Sequence, residues 1–322
     1  MTYSVGGLIQ AADYNTFAST GSPAVNSTWS TGSSDAGWGQ SALSTVSAAA
    51  TVTATSWATL VNTISSMASH QGTTITARSA PSTGQTIAIF SAVATDISSC
   101  YTNRLNAIAN GSQYTGWTGT NSKTTATSGA AWSITFTNTV TWSSAAAARY
   151  FFNAGGRIKI DLSKSSTGAT GDPEWNNLAT DLCGDIYITA GTATQTIAGG
   201  SYTGTTLVGG TGTPATLATT TGWYDLTPGG AATVVYKQFA DTAPYTANYI
   251  QHSLAVNAGS TALTITTLWQ TADAESDPIS GGTAASGATP GTAPCTIVTY
   301  YPPSTTYISN TWGTPTVTAT TA

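Results

Sequence analysis

Trp132-Ser-Ile-Thr-Phe-Thr-Asn-Thr-Val-Thr-Trp142, then Ala145-Ala-Ala-Ala-Arg-Tyr-Phe-Phe-Asn153, Gly155-Gly156 and Arg157-Ile-Lys-Ile-Asp-Leu-Ser-Lys164, form the stretch on which the fold turns. In the first segment Trp132, Ile134, Phe136, Val140 and Trp142 alternate with Ser133, Thr135, Thr137, Thr139 and Thr141. A period of two with one apolar and one hydroxyl face predicts a half-buried strand. Asn138 is the one polar residue on its apolar side. Residues 145–153 then predict a short helix, closed by the glycine pair. A second strand follows, with Ile158, Ile160 and Leu162 inward. Strand, helix and strand in close succession, each with one apolar face, predict an α+β fold with a β-rich, sandwich-like region.

Downstream, Asp172-Pro173-Glu174 is a helix start, with Asp as N-cap, Pro at the first helical position and acid in the first turn. Trp175, Leu178, Ala179 and Leu182 form its apolar face, and Gly184 closes it. Further strands are expected at Asp185–Thr189, Thr233–Phe239, Asn248–Val256, Leu263–Trp269 and Cys295–Tyr301, separated by Gly/Thr/Pro loops. The tail from Tyr301 carries Pro302, Pro303 and Pro315 and is expected to be extended. No repeat of fixed period runs through the chain, which counts against a solenoid.

Upstream, residues 1–112 read as helical. Trp57, Leu60, Val61, Ile64 and Met67 lie on one helical stripe, capped by Thr55 or Ser56 and ended by Gly72. Phe90, Val93, Ile97, Tyr101, Leu105 and Ile108 form a second, running to Asn110-Gly111. A shorter helix is expected from Leu8 to Phe17, with Tyr14 and Phe17 inward. Such short helices bury little alone, so their apolar faces are expected to pack on a partner chain. The domain reading is a helical attachment and oligomerisation region over 1–112, a Gly/Ser/Thr-rich linker over 113–131, and a β-rich domain with short helices over 132–322.

Composition narrows the function. The chain has 322 residues, with 8 Lys plus Arg against 13 Asp plus Glu, and charged residues make up only 7%. A nucleic-acid partner would need a basic footprint, which is absent. The 10 Trp, 14 Tyr and 6 Phe exclude a disordered chain. No apolar run is long enough to span a bilayer. The start, Met1-Thr-Tyr-Ser-Val, lacks the features of a secretory signal, yet the Thr/Ser/Gly-rich, Lys-poor composition suits an extracellular surface. Assembly in a host cytoplasm followed by release on lysis, as for a virus particle, reconciles the two. Cys100, Cys183 and Cys295 are too few and too far apart for a disulfide framework or a zinc site, and are expected as buried small hydrophobes.

No catalytic, cofactor-binding or metal site stands out. His70 and His252 are the only histidines and are expected in capping or packing roles. Asp273, Glu275 and Asp277 could hold Ca²⁺, but lack the EF-hand Gly and terminal Glu, so a solvated loop is expected. Arg149, Arg157, Lys159 and Lys164 gather half of the cations in sixteen residues. They read either as an anionic contact or as a helix brace with solvent-facing neighbours. Trp117, Trp223, Tyr224 and Trp312 lie in Gly/Thr loops and read as exposed aromatics, for subunit interfaces or for stacking on sugar rings.

Gly7-Leu-Ile-Gln-Ala-Ala-Asp-Tyr-Asn15, Gly37-Trp-Gly-Gln40, Val52-Thr-Ala-Thr-Ser-Trp57, Ala148-Arg-Tyr-Phe-Phe-Asn-Ala-Gly-Gly-Arg157 and Pro302-Pro-Ser-Thr-Thr-Tyr-Ile-Ser-Asn-Thr-Trp-Gly-Thr-Pro315 occur in that order across most of the chain. Together they resemble a group of virion structural proteins of tailed bacteriophages, notably cyanophages. The Arg149, Tyr150, Phe151, Phe152, Asn153, Gly155, Gly156 signature is the most specific piece. The resemblance implies a non-enzymatic tail, neck or fibre component assembled as a homo-oligomer among other virion proteins, with no catalytic residue to carry over. A receptor-binding module for host-surface glycan and a capsid decoration protein are the alternatives. The signature is expected to be a strand–helix–strand corner in which Tyr150, Phe151 and Phe152 plug the core and the glycines reverse the chain.

Overall fold

The computed structural model describes residues 10–83, 90–115, 133–164, 172–191, 193–271 and 294–322. Trp117, Trp132, Asp273, Glu275, Asp277 and the linker beyond Thr115 lie outside the described residues. The chain is α+β: helices dominate the N-terminal region and antiparallel sheets the remainder.

The N-terminal helices are α1 (Ala11–Asn15, continued by a π turn over Thr16–Thr20), α2 (Val25–Trp29), α3 (Ala54–Gln71) and α4 (Phe90–Thr102). In α3 the expected stripe is buried from Trp57 to Met67. Its cap is Thr53 rather than Thr55 or Ser56: the Thr53 hydroxyl accepts the Ser56 N–H at 3.1 Å. Gly72 ends the helix in the left-handed region, at φ +73°. Tyr14 and Phe17 both face inward and meet the Trp57 ring edge-on.

Helix α4 stops at Thr102, short of the expected Asn110. The backbone of the next residues is claimed by strand pairing instead: Ala107 N–H donates to Thr196 O, and Ala198 N–H to Ala107 O. Leu105 is buried as expected, but Ile108 is 50% exposed.

The strands are β1 (Tyr114–Thr115), β2 (Ser133–Thr141), β3 (Arg157–Ser163), β4 (Asp185–Ile188), β5 (Gln195–Ile197), β6 (Gly200–Tyr202), β7 (Thr205–Val208), β8 (Thr216–Leu217), β9 (Thr233–Phe239), β10 (Tyr249–Val256), β11 (Ala262–Gln270), β12 (Cys295–Tyr301) and β13 (Thr316–Thr321). Helix α5 (Ala145–Asn153) joins β2 to β3; α6 (Asp172–Asn177) and a π turn over Leu178–Leu182 precede β4. One antiparallel sheet runs β1-β12-β3-β4-β7, a second runs β13-β2-β11-β10-β9-β8, and β5-β6 is a small hairpin. The extended tail is legible in the sequence; that it closes a sheet edge as β13 is not.

The alternation in β2 does what its pattern predicts: Ile134, Phe136, Asn138 and Val140 are buried. In register with β11, Phe136 faces Thr267 and Asn138 faces Ile265; in β10, His252 faces Thr267. The turn over Leu178–Leu182 touches β3 of one sheet and β9 and β10 of the other. Trp175 and Trp269 carry the same contact, with ring centroids 5.8 Å apart.

The sequence sends the apolar faces of the N-terminal helices to a partner chain. In the structure Tyr14, Phe17, Trp57 and Ile64 belong to the same buried cluster as Phe136, Ile160 and Leu254. The three cysteines are free and buried; burial pushes Cys100 and Cys183 up to about 12 and Cys295 to about 11, so none is a thiolate near neutral pH. Among the described residues, no helix is long and apolar enough to cross a membrane.

Candidate functional site

Three of the separated stretches that carry the sequence resemblance meet in space, and their meeting point is built on α5. Ser144 starts this helix by accepting the Ala147 N–H at 3.1 Å. Phe151 and Phe152 point into the core beside Trp142, with centroids 5.4 and 5.5 Å from it. Gly155, at φ +90°, turns the chain into β3; a Cβ there would lie 2.6 Å from that of Ala107. The strand–helix–strand corner is as expected, except that Tyr150 does not plug the core. Its ring covers Gly39, where a Cβ would come within 2.4 Å of it.

Asn153, fully buried, is the polar centre. Its Nδ2 donates to Ser34 O at 3.2 Å and Gly37 O at 3.0 Å. Its Oδ1 accepts from the Tyr224 phenol at 2.6 Å, and that phenol also lies 2.9 Å from Ser34 O. Both N–H donors and the carbonyl oxygen of this buried Asn are thus engaged, the condition under which such a group adds specificity rather than cost. Burial is the main cause that raises the Tyr224 pKa, so the phenol stays a donor.

Trp38, 0% exposed, closes the junction. Its indole N–H is shared between Arg104 O and Asn153 O, both at 3.0 Å. Its carbonyl accepts from Thr311 Oγ1 at 2.5 Å. Gln40 pairs with Ser309 in both directions, at 2.8 and 2.9 Å. His70 Nε2 donates to Ala154 O at 2.9 Å while its ring meets Trp38 edge-on. Arg149 donates to the Thr31 carbonyl, and Arg104 pairs with Asp35 at 2.5 Å. Residues 31–40, 149–156 and 309–312 therefore form one junction between the helical region, α5 and the C-terminal tail. The roles of Trp38, Gln40 and Arg104 are not legible in the sequence, although the glycines flanking Trp38 mark a close backbone approach.

The expectation of exposed loop aromatics is corrected. Trp223 is 5% and Trp312 2% exposed. Trp223 stacks on Phe152 at 5.0 Å and meets Trp142 edge-on at 5.5 Å. Tyr224 is committed to Asn153. Arg149 braces α5, as one reading of the cations has it, through the Thr31 carbonyl; the reading of the other three as solvent-facing is corrected, because these groups are internal staples. Arg157, 5% exposed, sits over the rings of Tyr187, Tyr202 and Tyr301 at 5.5, 4.9 and 4.7 Å and donates to Asn110 Oδ1 at 2.6 Å. Lys159 bridges Asp161 and Asp185 at 3.1 and 3.2 Å, and Lys164 is buried. Replacing Arg157 with alanine is expected to cost about 2–3 kcal/mol, with only a fraction recovered by lysine, which cannot face three rings and an amide together. Urea unfolding of the two variants checks this; an R157K curve that overlays the parent would contradict it.

Beside the junction lies a pocket of about 280 Å³. Trp223, Leu226 and Val256 give it an apolar lining, and Arg149, Tyr224 and Ser260 a polar one. Among the described residues no group of three or more His, Cys, Asp and Glu side chains is placed to hold a metal ion.

The fold and the junction define the class: an α+β chain whose two antiparallel sheets and N-terminal helices share one core. No family model, curated protein or solved structure matches the chain.

Proposed function

We propose that this chain is a non-enzymatic structural component of a tailed-phage virion, carried in a tail, neck or fibre appendage as a homo-oligomer. The observation that supports the reading is the convergence of Gly37–Gln40, Arg149–Gly156 and the Ser309–Trp312 stretch of the tail on one junction. Each stretch alone is a weak likeness; physically they are interdependent, since each supplies partners that the others need. Trp57 and Tyr14, from two further stretches, pack on one another in the adjoining core. The stretches that carry the resemblance are thus parts of one connected scaffold in this chain, which supports reading them together.

A surface poor in Lys and Arg and rich in hydroxyls suits a protein that works outside cells. The eight cations of the whole chain also leave few sites for trypsin-like cleavage.

Electron microscopy of purified particles labelled with an antibody to this chain tests the proposal. Label on the tail, neck or projecting fibres is the expected result. Label spread over the head would make it a decoration protein, and intact particles without label would overturn the virion assignment.

A further inference from the structure

Among the described residues, the six-stranded sheet ends on β13. Ala322 and Thr135 exchange both backbone hydrogen bonds at 2.9 Å. In an antiparallel ladder such pairs alternate, so others fall at Thr318 with Thr139 and Thr316 with Thr141. Val317 and Ala319 therefore turn their backbone N–H and C=O groups away from β2, and neither has a partner among the described residues. Thr320 and Thr321 have interactions of their own, which leaves residues 316–319 as the open part of the edge. Thr316 and Thr318 are exposed there, and Val317 and Ala319 are half-buried.

Open edges recruit further strands, and folded chains blunt them with short strands, charges, bulges or covering segments. The other edges are blunted: β1 and β8 have two residues each, and β7 touches β8. β13 has six residues, mostly Thr and Val of high strand preference, and residues 278–322 contain no Asp, Glu, Lys or Arg. Such an edge is complementary to a second copy of itself. In an antiparallel pair about a two-fold axis at Thr318, Val317 of one copy exchanges both backbone hydrogen bonds with Ala319 of the other. Thr318 then faces its own counterpart across the axis, a favourable cross-strand pair, and no charge stands opposite another. On the other side of the strand, where Val317 faces Val140 and Ala319 faces Asn138, Val317 and Ala319 cover one another. We infer that β13 pairs with β13 of a second copy and joins two six-stranded sheets into one. The inference rests on the homo-oligomer of the proposed function and names its contact.

Sedimentation velocity of the full chain over a range of concentrations tests it. Thr318→Lys and Thr318→Glu each place like charges on the axis, at an exposed position outside the core. The parent is expected to form a concentration-dependent dimer, and each variant alone to dimerise at least about tenfold more weakly. An equal mixture of the two variants is expected to regain the dimer, a recovery that requires the two positions to face each other. Ala319→Pro, which removes an N–H turned away from β2, is expected to weaken the dimer as well. Dimers unchanged in all three variants would place the contact elsewhere, overturning this inference and leaving the homo-oligomer standing. No recovery in the mixture would overturn the two-fold register. A parent that stays monomeric throughout would overturn the inference and the homo-oligomer together, while labelling of particles still decides the virion assignment.

Discussion

Truncating Trp38 to alanine is expected to lower the unfolding free energy by about 3–5 kcal/mol, the range for a large aromatic removed from a packed core. Trp38 stands at the upper end of that range because more than volume is lost. Its indole N–H serves two carbonyls, Arg104 O and Asn153 O. Without it, the indole's neighbours His70 and Trp29 face a void. Trp38→Phe separates the two contributions: it keeps most of the ring and removes the donor, so it is expected to cost about 1–3 kcal/mol. Urea unfolding with equal slopes for the three chains checks both values. A Trp38→Ala midpoint close to the parent's would mean that the junction does not hold the fold.

Acid is expected to remove about 4–5 kcal/mol of stability through one residue, His252. The side chain is fully buried between Thr267, whose hydroxyl lies 2.9 Å from its Nδ1, and the ring of Tyr236, stacked at 5.4 Å. Its Nε2 has no partner among the described residues. Burial alone pushes its pKa down to about 3. The unfolded chain takes up a proton there below pH ~6.5, and the folded chain does not until about pH 3. Stability is therefore complete above about pH 6.5 and falls progressively as the pH drops towards 3. His70, whose pKa burial also lowers, adds in the same direction. Unfolding free energies measured from pH 7 to pH 4 check the slope. His252→Gln, which cannot be protonated in this range, is expected to flatten most of it; an unchanged slope in that variant would contradict the assignment.

The elements that can be read in the sequence are those whose signal is local. The alternation of β2, the Asn153-Ala-Gly-Gly stop of α5 and the Asp172-Pro173 start of α6 each state their structure within a few residues. The end of α4 is not of this kind. An apolar period continues to Ile108, and only the hairpin around Ile197, far along the chain, takes the backbone of Ala107 out of the helix. Trp223 and Trp312 show the same limit. The Gly and Thr residues around them describe the backbone as a loop, but do not say where the ring goes; here both rings turn into the core. Arg149 and Asn153 are legible as a signature, yet their partners Thr31 and Gly37 lie more than a hundred residues upstream, at a separation that no spacing rule reaches.

The central claim is that the junction unites the helical and β-rich regions into a single cooperative body. Native-state hydrogen exchange of the full chain tests it most directly, by comparing the amides of α3 with those of β10. The account predicts that the slowest amides of both elements exchange with the same free energy and the same denaturant dependence, and that in Trp38→Ala those of α3 open first. Separate opening of α3 in the parent chain, at a free energy well below that of β10, would contradict it and make the helical region an independent module.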